Sequence, residues 1–425
     1  MGDHSADHKP YYANIAPSSP EEYATVADVH QSMQEILRIP TVVKAAVMPD
    51  ACPAGPIGHI PVGGVAVAEN AIHPAMHSAD ICCSVMYTNL GKVPPKEVLD
   101  VAEEVTHFGR GGRPHPLALP QELKKAIRNN RYLNTAKQLE FAVWHLGTQG
   151  DGNHFLFVGQ SRATGDTILV THHGSRGFGA SLYQKGRKVA EQFLQRYAPE
   201  LPPIHAWIPA DSPEGEEYWE ALQIVRQWTK LNHSVLHDMI SQRLGVDPSD
   251  RFWNEHNFVF RKGRLYYHAK GATPLDSAFL PDARDGRRLV PLNMREPVLI
   301  IEGQATERNL GFAPHGAGRN ISRSLHKQRF AHMTAEQLLR QETQGLDVRF
   351  YCGKIDISEL PSAYKDAEAL RRQIERFQLG TVVDEILPYG CIMAGDTRAR
   401  RAKKLPKANA SKKKAKKKKK RKKKK

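Results

Sequence analysis

Residues 167–179 read TILVTHHGSRGFG. Ile168, Leu169 and Val170 form an apolar run too short for a helix and β-branched at both ends, which reads as a buried strand. Without a break it continues into His172, His173, Gly174, Ser175 and Arg176. A strand that empties into a polar, glycine-bearing loop delivers side chains to a site while its own length stays in the core.

Working outward, residues 134–144 read as a helix, followed by a glycine-rich stretch from Gly147 to Asn153. Residues 41–90 alternate short β-type runs (TVVKAAVM, GGVAVA, SVMYTNL) with Gly, Pro and Asn. Ser19 as N-cap, Pro20 and the acids Glu21 and Glu22 open a helix whose apolar face carries Val26, Val29, Met33, Ile36 and Leu37. On the other side, residues 216–243 form the longest predicted helix, with apolar residues every three or four positions and Gly245 as C-cap. RLYYHA (264–269), PVLII (297–301) and VRFYCG (348–353) read as strands. Thr334 and Gln337 make a capping box, a further helix spans about 363–377, and 388–395 close the body. Strands and helices mix without regular alternation and no repeat is present. This predicts an α+β fold: a flexible lead-in over 1–18, one large domain over 19–396 with central β-sheets flanked by helices, and a disordered tail over 397–425.

The chain's formal charge of +16 is a property of that tail. Of 61 Lys and Arg, 19 lie beyond residue 396 with no acid among them, leaving 42 bases against 45 acids and a body charge of −3. Such a segment cannot bury a core, and the reading preferred over a solubilising tail is contact with RNA phosphates. Five irregularly placed cysteines do not make a disulfide framework. The polar N-terminus shows no signal peptide, and no run of about 18 apolar residues exists, so no membrane span is expected. A cytoplasmic monomer is the expectation.

Five segments carry chemistry: HSADICCS (77–84), GTQGDGNHF (147–155), THHGSRGFG (171–179), NEHNF (254–258) and PHGAGR (314–319). Each alone could be an ordinary loop with a hydrogen-bonded histidine. Together they offer a thiolate, a carboxylate and several imidazoles, a donor set for a divalent transition metal such as Mn²⁺, Zn²⁺ or Co²⁺. Ligands scattered over some 180 residues suit a catalytic site, whereas structural zinc uses local pairs. Glycines in GDGNHF and HGSRG let the backbone approach an anionic ligand, and Arg176 and Arg319 could each grip a phosphate. No Gly-Lys-Ser/Thr occurs, so neither stretch is a Walker loop.

In this order, the segments resemble the RtcB family of RNA-splicing and repair ligases. HAKGAT (268–273) and AYKDAEAL (363–370) extend the likeness over about residues 40–396. The resemblance implies two Mn²⁺ ions held by Asp80, Cys83, His154, His172 and His256, with the thiolate shared. It makes His315 the nucleophile that takes GMP from GTP. Asn153, His256, Asn257, His315, Gly316, Ala317, Gly318 and Arg319 become cofactor-binding residues, and Arg176 and Lys270 candidates for substrate phosphate. The implied reaction joins RNA 3′-phosphate or 2′,3′-cyclic phosphate ends to 5′-hydroxyl ends, in tRNA splicing or RNA repair. Two other readings stand beside it: a metal-dependent RNA-end phosphodiesterase that does not ligate, and a catalytically silent RNA-binding protein.

This sequence departs from the family pattern at positions that the resemblance places near the guanine. Phe157 stands where Glu is common, Ala394 where the terminal Lys-Gly has Lys, and Glu302-Gly303-Gln304-Ala305 where Pro-Gly-Ser-Met is usual. Phe157 cannot accept a hydrogen bond from a base and Ala394 cannot donate one, so altered base discrimination is expected. Cys52, in MPDACPAGPIG, takes a place where the family often has His.

Overall fold

Thr167–His173 is a strand buried along its whole length. The computed structural model describes residues 9–109, 111–280 and 286–396. The strand lies inside a sheet ordered Arg287–Val290, Val298–Glu302, Thr381–Met393, Phe155–Ser161, Thr167–His173, Ser84–Asn89, Asp250–Glu255, with Asp347–Phe350 also paired to Thr381–Met393. The pairings along that order are antiparallel, and only Asp347–Phe350 joins in parallel.

Period-2 alternation assigns the two faces of this sheet. Leu156, Val158, Leu169 and Ile392 pack with Leu99 of the Pro95–Val105 helix and with Leu236 and Ile240 of the long helix. Phe157, Val170, Val298 and Cys391 lie on the opposite face in a separate apolar cluster with Met294 and Met393. That second face forms the wall of the cleft described below.

A five-stranded sheet, ordered Tyr11–Ala13, Val42–Cys52, Val62–Glu69, Leu265–Lys270, Asn257–Lys262, belongs to the largest core cluster, together with the Pro20–Leu37 helix. Asp250–Glu255 sits in one sheet and Asn257–Lys262 in the other, so the chain changes sheets at His256.

Helix Pro20–Leu37 is capped by Ser19, whose side chain accepts from the Glu22 amide. The long helix is Pro213–Leu244, ending at Gly245 with φ of 68°. It starts three residues before the predicted Glu216, because Ser212 caps it and Pro213 occupies the first turn. The Thr334–Gln337 capping box forms as read.

Other expectations need adjustment. Within the predicted lead-in, Tyr11–Ala13 is a strand paired in parallel with Ala45–Val47. The helix expected from 363 is Ala367–Arg376, because Pro361–Ala363 makes a separate 3-10 turn and Asp366 caps the helix proper. The Arg176–Tyr197 helix was not legible, since its first residues are the glycine-rich RGFG. No helix among the described residues is long and apolar enough to cross a membrane. The predicted basic tail, 397–425, lies outside the described residues.

Candidate metal and nucleotide site

Strand register gathers the predicted ligands. Phe155 pairs with His172, Ser84 pairs with His173, and Ser84 also pairs with Glu255 on its other side. His154, His172, Cys83 and His256 therefore sit at one end of four adjacent strands, although up to 173 residues separate them in the chain. Asp80 reaches the same end from the loop before Ser84. Three non-glycine residues in the left-handed region border these loops: Ser78 (φ 73°), Cys82 (59°) and Arg176 (56°). Such backbone persists where surrounding structure fixes it.

The donor atoms converge. Cys83 Sγ lies 3.2 Å from His172 Nε2 and 3.6 Å from His154 Nε2. His172 Nε2 is 3.2 Å from His256 Nε2, and His154 Nε2 is 2.9 Å from Asp80 Oδ2. They form two overlapping triads, Cys83–His172–His256 and Asp80–Cys83–His154, with Cys83 common to both.

Proton placement shows why this set suits a cation. His154 Nδ1 faces the Gln149 carbonyl at 2.6 Å and His172 Nδ1 faces the Asn153 carbonyl at 3.2 Å. A neutral ring that donates through Nδ1 leaves a lone pair on Nε2, and both lone pairs point at the cluster. Burial, with His154 and His315 nearby, drives the His172 pKa down to about 3, which keeps this ring neutral. Burial and then the Asp80 carboxylate push the Cys83 thiol well above its ordinary range, so ionising it requires positive charge close by. Lone pairs, a carboxylate and a thiol facing one another fit a metal centre.

Two glycines set this geometry. A Cβ on Gly174 would sit 2.1 Å from Asp80 Oδ1. At Gly318, with φ of 74°, a Cβ would sit 2.1 Å from the Asp50 carbonyl oxygen.

His315 stands beside the cluster, its ring centroid 4.7 Å from that of His256. It follows the short Phe312–Pro314 strand, which pairs with Ala272–Pro274. Its Nδ1 donates to Asp50 Oδ2 at 2.6 Å, and its backbone amide contacts the same oxygen at 3.2 Å. Asp50 is fully buried, so the bond fixes the ring and leaves Nε2 as the nitrogen with a free lone pair. Lys365, also buried, donates to the carbonyls of Pro49 and Ala51 on either side of Asp50. Neither Asp50 nor Lys365 was singled out from sequence. The available signal was a carboxylate in the otherwise apolar AAVMPDAC.

An apolar-walled cleft opens at His315. Of the residues expected to bind the cofactor, Asn153, His315, Gly316, Ala317, Gly318 and Arg319 line it, and His256 does not. Asn257 does not line it; its Oδ1 accepts the Gly271 amide at 2.7 Å and so ties two loops together. The Arg319 guanidinium bonds Glu359 and the Ser358 carbonyl, each at 2.8 Å, and covers the Tyr364 ring. Arg176 donates to the Gly109 carbonyl and to Thr148 Oγ1. Lys270 turns toward the Ile60 carbonyl, and burial lowers its pKa to about 8.

Phe157 lines the cleft, whereas Ala394 and residues 302–305 do not. Ala394 shares the parity of Ile392 and is fully buried on the helix-facing side of the sheet. The expectation that it borders the base is corrected by that alternation.

Comparison with known proteins identifies the family of the chain. The family described as "tRNA-splicing ligase RtcB" matches residues 121–394, well over half of the chain. The tRNA-splicing ligase RtcB of Archaeoglobus fulgidus is 27% identical over 285 residues, covering 58% of each chain. That of Pyrobaculum aerophilum is 26% identical over 419 residues, 78% of this chain and 84% of its own. The RNA-splicing ligase RtcB of Mycobacterium tuberculosis is 26% identical over 291 residues, 60% of this chain and 66% of its own. The matched region thus spans little more than half the length of the Archaeoglobus protein.

Proposed function

Given that the chain belongs to the RtcB family, we propose that it is a Mn²⁺-dependent, GTP-using RNA ligase working through a covalent His315–nucleotide intermediate. Its substrates are RNA 3′-phosphate or 2′,3′-cyclic phosphate ends and 5′-hydroxyl ends, in tRNA splicing or RNA repair. The observation that carries this reading is His315, a nucleophile oriented by buried Asp50 and set against the Asp80–Cys83–His154–His172–His256 cluster. A hydrolase or a passive RNA-binding protein needs no such nucleophile.

Neutral His315 attacks the α-phosphorus through Nε2; an N–P bond forms, the bond to the bridging oxygen breaks, and pyrophosphate leaves. The proton stays on His315 Nδ1, hydrogen-bonded to Asp50 Oδ2, and the carboxylate's negative charge stabilises the positive charge developing on the ring. The nucleotide then passes to the RNA 3′-phosphate (a cyclic end is first hydrolysed), freeing His315. Attack of the 5′-hydroxyl on the activated phosphate makes the phosphodiester and releases the mononucleotide. Asp80, Cys83, His154, His172 and His256 would hold two cations, which when bound neutralise phosphate charge.

The test incubates the protein with Mn²⁺ and α-labelled GTP or ATP. Acid-labile, alkali-stable label is expected on the protein, and His315→Ala should abolish it with metal content unchanged. Absence of label with either nucleotide overturns the proposal.

A further inference from the structure

The inner wall of the nucleotide cleft is the exposed side of an apolar core cluster. Phe157, Met294, Val298, Cys391 and Met393 belong both to that cluster and to the cleft lining. Phe157 and Cys391 are register partners on adjacent antiparallel strands, so they present one patch. Burial pushes the Cys391 thiol up to about 12, so it stays uncharged.

Among the described residues, polar side chains in the lining are few, and its carboxylate is held by neighbouring cations. Glu359 is the lining's carboxylate, and it is buried. Its Oε2 accepts from Arg319 at 2.8 Å and from the Tyr364 hydroxyl at 2.7 Å, while Oε1 pairs with Arg323. Asn293 Oδ1 accepts the amides of Arg295 (2.9 Å) and Glu296 (3.1 Å), which uses both lone pairs of that oxygen. Asn153 is exposed at the mouth. A guanine ring edge presents two donors, N1–H and the 2-amino group, and the Phe157–Cys391 patch offers a side-chain oxygen to neither. What it provides, an apolar surface and ring faces, serves adenine and guanine alike.

We propose that the cleft takes a purine ribonucleoside triphosphate by shape and phosphate contacts without reading the guanine Watson–Crick edge, so that ATP and ITP serve beside GTP. This rests on the nucleotidyl-transfer reading of His315. Sites that hydrogen-bond a substrate's polar edge reject the analogue lacking it by roughly 10⁴–10⁵-fold. Here the spread among GTP, ITP and ATP is small.

Two measurements test it. One is the rate of His315 labelling by each α-labelled triphosphate with Mn²⁺; the other is equilibrium binding of the same triphosphates to His315→Ala, which needs no chemistry. Dissociation constants within about tenfold of one another support the inference even if no label forms, in which case the ligase reading fails alone. GTP preferred over both ATP and ITP by more than about tenfold overturns the inference and leaves the ligase reading intact. Failure of all three to bind overturns both. Placing a carboxylate on the wall should create selectivity: Phe157→Glu, or Cys391→Asp should the first not fold, raises the GTP-to-ATP ratio at least tenfold. An unchanged ratio in a folded variant also overturns the inference.

Discussion

Gly174 is the position at which one methyl group should separate the two halves of the metal cluster. A Cβ built there lies 2.1 Å from Asp80 Oδ1 and 2.6 Å from its Cγ, whereas real Cβ contacts essentially never fall below 3.0 Å. In Gly174→Ala the carboxylate must therefore retreat by at least 0.9 Å, the difference between 3.0 and 2.1 Å. Asp80 is 35% exposed on its side chain, so it can swing toward solvent without dragging the backbone. Its 2.9 Å contact with His154 is lost in the process. Metal ligands tolerate errors of about 0.2 Å, and a displacement near 1 Å at a reacting centre costs about 10²-fold. The Cys83–His172–His256 triad is untouched by the added methyl. Mn²⁺ bound at equilibrium dialysis should thus fall from two ions per chain toward one, with self-nucleotidylation slower by about 10²-fold and thermal unfolding little changed. Gly111→Ala, with nothing within 4 Å of its Cβ, is the control. Wild-type stoichiometry and affinity in Gly174→Ala would refute the assignment of Asp80 to the cluster.

Asp50→Asn keeps the size of the group but can donate to His315 Nδ1, which moves the ring proton to Nε2 and blocks the nucleophile; labelling should fall by about 10²–10⁴-fold with metal content intact, and a loss under tenfold would sink the orienting role. Acid should unfold the protein early, since burial holds His73 at about 3 and His77 at about 4 against an ordinary 6.5. The unfolded chain takes up these protons below pH 6.5 and the folded chain does not, so their contribution is complete above 6.5 and declines as pH falls. At pH 5 the pair costs about 4 kcal/mol; urea midpoints that match at pH 7.5 and 5 would contradict this. Deleting residues 397–425 removes 19 positive charges, which should weaken RNA binding and flatten its salt dependence while self-nucleotidylation persists. Unchanged RNA affinity and salt slope would rule out a tether.

Much of this site was legible because its ligands lie in local motifs whose glycines and strand-end positions leave a signature of their own. The segments that hold Cys83, His154, His172 and His256 stood out because each sets a metal-ligand side chain beside small residues, and the family likeness then singled out the individual ligands. Convergence was not legible without the family likeness, because it depends on which strands neighbour one another, and Phe155–Ser161 reaches Asp250–Glu255 only across two intervening strands. Asp50 and Lys365 escaped notice for a different reason. Their work is to satisfy buried polar groups around His315, and a buried acid in an apolar strand looks like any other exception until its partner is seen. The buried polar stripe of the long helix was hidden likewise: His233 and His237 bond Ser84, Thr88 and Thr171 on the sheet, so an apparently mixed face is an interior one.

The departures from the family pattern carry unequal weight, and strand parity ranks them. Sequence places Phe157, Ala394 and residues 302–305 on one footing, as lost polar contacts. In the sheet, Phe157 and Cys391 share a face with the cleft, while Ile392 and Ala394 share the face that meets the helices. A lysine at 394 on this backbone would enter the apolar cluster of Leu156, Val158 and Leu236, so alanine there is a packing choice. Residue 302 is exposed at the end of the Val298–Glu302 strand, and residues 304 and 305 are exposed beyond it. Of these departures only Phe157 lies on the cleft wall, where the family resemblance implies a Glu that could accept two guanine donors and Phe accepts none. On the proposed reading, base selectivity would thus turn on one residue of the cleft wall, while Asp80, Cys83, His154, His172, His256 and His315 would supply the phosphoryl-transfer apparatus.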